Sequence, residues 1–277
     1  MGTITEQTRP SAVGGMFYSG NRLTLDREVE TLLESAPVQP VPGRIIALIV
    51  PHAGYMYSGR TAAYVYSLLR GTHVPDVVIV APSHHEYFDG ISVYPGAAYT
   101  TPLGTVPVST TLRAELLAAC PFVQATLAGH GPEHAVEVQL PFLQKVLGTT
   151  RILPLVVGNQ SRSVCFGLGE VLGLILQGTE AVLVASTDLS HFHPAKVAEQ
   201  MDRIVAGDLE QFDPEQLMDD IEAGHVEACG GGPTVAVLVA ARKLGARSVR
   251  VLHRTHSGAI TGDNRSVVGY LAAVAIA

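Results

Sequence analysis

Histidine and aspartate recur in this chain where runs of β-branched residues give way to polar ones. Pro51-His52-Ala53-Gly54 follows one such run, Pro82-Ser83-His84-His85 a second, and Ser186-Thr187-Asp188, leading to His191, a third. Neutral imidazoles carried on successive post-strand loops converge in space whatever their separation in sequence, and convergent imidazoles are common metal ligands. The competing reading of any single His is a strand-end cap or a bond to a backbone carbonyl. Recurrence at three strand ends weighs against it.

Cys229 stands directly before Gly230-Gly231-Gly232-Pro233. Proline suits the first turn of a helix, and glycines let backbones approach closely. A thiol at that place faces helix-terminal N–H groups, which are able to lower its pKa from about 8.5 and favour the thiolate. Cys120 and Cys165 lie beside or within apolar helical segments and read as inert core residues. Two imidazoles and a thiolate make a three-ligand centre with open positions, unlike a closed structural zinc site. Such a donor set holds copper or zinc more tightly than ferrous iron, although supply in the cell can reverse occupancy. Around it, Asp188 and His191 are candidates for acid–base work or for orienting a ligand, with His191 preferred over His193. Glu133-His134-Ala135-Val136-Glu137 sets two acids at the start of an expected helix, where capping and substrate contact compete as explanations.

The elements that must position these residues alternate. Strand-like runs at 44–52, 76–85, 151–158 and 181–191 are separated by helical patterns at 61–70, 111–119, 136–147 and 164–176. A helix at 25–35, a polar helical stretch over 194–224, an apolar helix at 234–244 and closing strands joined by a loop at 255–264 complete the pattern. The Pro-rich 38–43 segment reads as a loop. Alternation of this kind predicts one α/β domain over 1–277, with a central mostly parallel or mixed sheet flanked by helices and a flexible tail at 1–8. Ligands in such sheets bind beyond the carboxyl ends of the strands, where the His and Asp residues fall.

Composition bounds the rest. The 277 residues are 47% apolar and 16% charged, which suits one large core buried on both sheet faces. A net charge of -7 without a Lys/Arg cluster removes the electrostatic basis for binding nucleic acid or an anionic membrane. No export signal is expected from the N-terminal residues, and the C-terminal apolar run falls short of the roughly 20 residues that span a bilayer. Three unpaired cysteines fit a reducing compartment, so the cytoplasm is the expected location.

Taken together and in order, GGMFY near residue 15, PHAGYMYSG (51–59), PSHH (82–85), GPEHAVEVQLPFL (131–143), STDLSH (186–191), CGGGP (229–233) and TGDNRSVVGY (261–270) resemble the Memo family. That family is named for a mediator of cell motility and includes the prokaryotic protein B type of the AmmeMemoRadiSam system. Memo proteins are similar in fold to class III extradiol dioxygenases, non-haem iron enzymes whose metal is held by two His and a carboxylate. The resemblance implies that His52 and His84 are metal ligands, with Cys229 in place of the carboxylate. It further implies that His191 matches the dioxygenase base, with Asp188 beside it. Animal Memo proteins are described as binding phosphotyrosine peptides; no Arg cluster suited to phosphate occurs here, so that role is not carried over.

The leading expectation is therefore one metal ion per chain, Fe(II) or Cu ahead of Zn, in a dioxygenase-like oxidoreductase of unknown substrate. The alternatives are a non-catalytic ligand- or partner-binding member of a multi-protein system, and a metal-dependent hydrolase. The oligomeric state and the roles of His85, His134 and Glu137 stay open at this level, and a homo-oligomer is compatible with the sequence.

Overall fold

A computed structural model of the chain describes residues 4–37 and 40–277. From the N-terminus, β1 (Thr8–Arg9) and α1 (Arg22–Ser35) precede β2 (Ile45–Val50), α2 (Tyr55–Tyr66) and β3 (Asp76–Pro82). Short strands β4 (Ile91–Val93), β5 (Ala98–Thr101) and β6 (Gly104–Pro107), helix α3 (Thr110–Ala119) and strand β7 (Val123–Ala125) follow. A 3-10 turn (Glu137–Gln139) leads into α4 (Leu140–Leu147), β8 (Arg151–Val157), α5 (Arg162–Ile175) and β9 (Val182–Ser186). The last third holds β10 (His191–His193), α6 (Ala195–Gln211), α7 (Pro214–Glu222), α8 (Gly231–Lys243), β11 (Ser248–His256), α9 (Gly258–Thr261) and β12 (Val267–Ile276).

The principal sheet has nine strands in the order β10-β12-β2-β9-β3-β8-β4-β7, with β11 on β12. Its centre is parallel: β2 pairs β9, β9 pairs β3, and β3 pairs β8. β12 joins β2, and β4 joins β8, in antiparallel fashion, so the sheet is mixed. Four of the strands read from the sequence form this parallel core, β2, β3, β8 and β9, and the two closing strands are β11 and β12. The four core strands are runs of Val, Ile, Leu and Ala buried on both faces, as a strand covered on each side by helices must be. One apolar cluster includes residues of α1, α2 and α4, the other residues of α3, α5, α7 and α8. This is the α/β architecture with flanking helices that the alternation predicts.

Three expectations need adjustment. Strands β4 to β7 escaped the sequence pattern because runs of three or four residues carry little periodicity. The loop expected at 255–264 is shorter, since β11 extends to His256 and α9 occupies Gly258–Thr261. Part of the expected tail is tied down: Thr5 N–H donates to Pro95 O, and Thr8 pairs with Ala98. Residues 1–3, and residues 38 and 39 of the Pro-rich loop, lie outside the described residues. Among the described residues, no helix is long and apolar enough to cross a membrane.

Candidate metal centre

Because β2, β9 and β3 are adjacent and parallel, their carboxyl ends deliver His52, Asp188 and His84 to one edge of the sheet. Cys229 arrives from the turn before α8. That turn presses against the end of β9 so closely that a Cβ on Gly230 would lie 2.2 Å from Ser186 O. Gly230 N–H donates to Thr187 Oγ1 at 3.0 Å, and Cys229 N–H to Asp188 O at 3.2 Å, fixing the turn to the strand end. Glycine is needed here for close approach, as the Gly-rich run suggests.

One ligand atom each from His52, His84 and Cys229 lies within 4.8 Å of the others. The His52 and His84 ring centroids are 5.0 Å apart, and Cys229 Sγ is 3.1 Å from His52 Nε2. His52 is buried and Cys229 half-buried, while the His84 side chain is 27% exposed, so the centre opens on the His84 side.

The tautomer of His52 follows from its partners. Ser186 Oγ donates to Ala135 O at 2.7 Å and accepts from Gln139 Nε2 at 2.8 Å. Its single hydrogen is thus committed, so His52 Nδ1, 2.9 Å away, must be the donor to Ser186 Oγ. Nε2 is left as a lone pair facing Cys229. Gln139 is itself held by Tyr66 O–H and donates to Pro51 O. Burial, and next the charge His84 would carry, push the His52 pKa down to about 3, so the imidazole is neutral.

His84 rests on Glu133, whose Oε1 accepts from His84 Nδ1 at 2.9 Å and whose Oε2 accepts from His84 N–H at 2.6 Å. Glu133 also accepts from the N–H groups of His134 and Ala135. Burial opposes its charge, but these donors prevail and bring its pKa down to about 2. The capping role weighed for Glu133 is partly right: it caps the turn before the 3-10 segment, and it also holds a candidate ligand. Glu137 points elsewhere, pairing with Arg9 at 2.6 Å and accepting from Tyr18 O–H and Ser11 O–H beneath the N-terminal segment.

Asp188 is buried and accepts from His52 N–H at 2.8 Å, so it fastens the His52 loop to β9. Burial raises its pKa. The expected lowering of the Cys229 pKa is opposed by its surroundings. Burial, and then the Asp188 carboxylate, push the thiol well above its ordinary range, outweighing the Asp188 N–H that points at Sγ from 3.3 Å. A thiolate there needs a cation close by. Cys120 and Cys165 are buried, as expected, and burial pushes the Cys165 thiol up to about 12.

His191 opens β10, which pairs with β12, and its backbone N–H is held by Glu227 at 3.0 Å. His193 turns instead to Glu227 through Nε2 at 2.9 Å. His134 joins the cluster, its ring centroid 4.7 Å from His84 and 5.3 Å from His52; His85 stands further out, 6.3 Å from His134. His134 also forms a second, overlapping group with His84 and Glu133.

The family model described as "Memo-like protein" matches residues 9–274. A MEMO1 family protein of Aquifex aeolicus is 36% identical over 267 residues, covering 96% of this chain and 98% of its own. MEMO1 family protein TV1383 of Thermoplasma volcanium is 33% identical over 270 residues, with 96% and 98% covered. A crystal structure of the uncharacterized protein JW3007 from Escherichia coli K12 superposes with a TM-score of 0.55 at 17% identity, covering 84% of this chain and all of that one; it speaks to the fold alone. On the extent and identity of these matches, the chain belongs to the Memo family.

Proposed function

We propose that His52, His84 and Cys229 hold a single iron or copper ion, and that the protein carries out oxygen-dependent redox chemistry on a small molecule. The observation that carries this reading is the Cys229–His52 contact at 3.1 Å, in which a lone pair of an imidazole with a fixed tautomer meets a thiol beside the second imidazole. The donor set fits: borderline nitrogen and soft sulfur suit copper or iron, and three ligands leave positions open. A bound ion would supply one-electron exchange with oxygen or substrate at those positions. The chain's own part is to exclude water on the His52 side, to orient both imidazoles, and to move a proton through the His191 ring. Asp188, tied to His52 N–H, acts by holding the His52 loop and not as the mobile base. The likeness of Memo proteins to class III dioxygenases makes oxygen the first co-substrate to test.

Oxygen uptake by iron- and copper-loaded protein, screened against small organic substrates, is the test. The expected result is turnover that His191→Ala lowers by roughly 10²-fold or more at unchanged metal content. Turnover that persists without oxygen and with zinc would establish the hydrolase instead. No turnover at full loading would leave a ligand- or partner-binding protein.

A further inference from the structure

The metal-binding reading above is the ground for one further step. We propose that Glu133 is the positioning residue of His84, deciding which nitrogen of that ring faces the metal position. Glu133 is 2% exposed, and its carboxylate gathers four N–H groups: His84 Nδ1 at 2.9 Å, His84 N at 2.6 Å, His134 N at 2.8 Å and Ala135 N at 2.9 Å. An ionised carboxylate only accepts, so the hydrogen of a neutral His84 ring sits on Nδ1 and Nε2 keeps its lone pair. The main chain of Glu133 is anchored in turn, its carbonyl accepting from the Arg9 guanidinium. Glu133 thus joins the loop after β3 to the loop before the 3-10 turn, and the attitude of the His84 ring depends on that joint. A carboxylate behind a ligating imidazole fixes its tautomer and makes it a better donor.

Cobalt(II) is the probe, its affinity read by competition with a chelator and its geometry by the visible d–d spectrum. In Glu133→Gln the amide nitrogen is unable to accept, and the affinity is expected to fall roughly 10–100-fold with altered d–d bands. In a His84→Ala background the same substitution is expected to change nothing further, because Glu133 acts through that ring. A folded Glu133→Gln protein with wild-type affinity and spectrum, or a loss that persists without His84, overturns the proposal. Wild-type protein that takes up no cobalt overturns the metal reading as well. Should Glu133→Gln not fold, nitrogen-15 NMR of the zinc-loaded wild type decides: His84 with hydrogen on Nδ1 supports the assignment, and hydrogen on Nε2 refutes it.

Discussion

His52 hangs from a buried chain of neutral groups, Ser186, Gln139 and Tyr66, whereas His84 stands near the surface on the charged Glu133. Both arrangements leave Nε2 as the lone pair, but they reach it differently. The neutral chain belongs to the core, so disturbing it costs the fold. The charged support draws a carboxylate against one ring, so disturbing it costs the electronics of the proposed ligand. The same centre therefore has a rigid wall and an adjustable one.

The largest break in this comparison is His52→Ala, which removes a proposed ligand and not its support. Its loss of metal affinity, read by chelator competition, should exceed the roughly 10–100-fold that a supporting group is worth. Ser186→Ala comes next. It strips a partner from Gln139 Nε2, from Ala135 O and from His52 Nδ1 in a place water does not reach, and an unpaired buried group costs about 1–3 kcal/mol. Urea unfolding of metal-free protein should show a drop of about 3 kcal/mol; a change under about 1 kcal/mol would mean the chain is slack.

Acid separates the two walls. Burial holds the folded-state pKa values of His52, about 3, and of His134, about 4, below the free value of about 6.5. The unfolded chain then takes up protons that the folded one refuses, so their stabilisation is present above about pH 6.5 and is lost as pH falls toward 3. Glu133, at about 2 against roughly 4.3 unfolded, keeps its contribution until pH falls below about 4.3. Metal-free protein should lose stability over two overlapping windows, and Glu133→Gln should remove the lower one while also deepening the histidine window, because the Glu133 charge supports the protonated forms of His52 and His134. The smallest effect is that of Cys120→Ala, expected to lower stability by about 1 kcal/mol while leaving metal content unchanged.

His52, His84, Asp188 and Cys229 were legible in the sequence because each sits at a strand end or a glycine turn, signals that are local. Their supports were not. Ser186 meets His52, and Gln139 meets Ser186, only through the packing of β9 and the 3-10 turn against β2, contacts between residues 134 and 47 positions apart. Capping and substrate contact stay the competing readings of Glu133 in the sequence because its bond to His84 spans 49 positions. The Cys229 thiol ran against expectation for a related reason: helix-terminal N–H groups are visible in sequence, whereas the burial that outweighs them and the nearby Asp188 carboxylate are tertiary.

The most direct test of a metal held by both walls and Cys229 is elemental mass spectrometry of protein purified without oxygen and without an affinity tag, wild type beside Cys229→Ser. Roughly stoichiometric iron or copper in the wild type, lost in the variant, is the predicted result; metal absent from both, or equal in both, would contradict it.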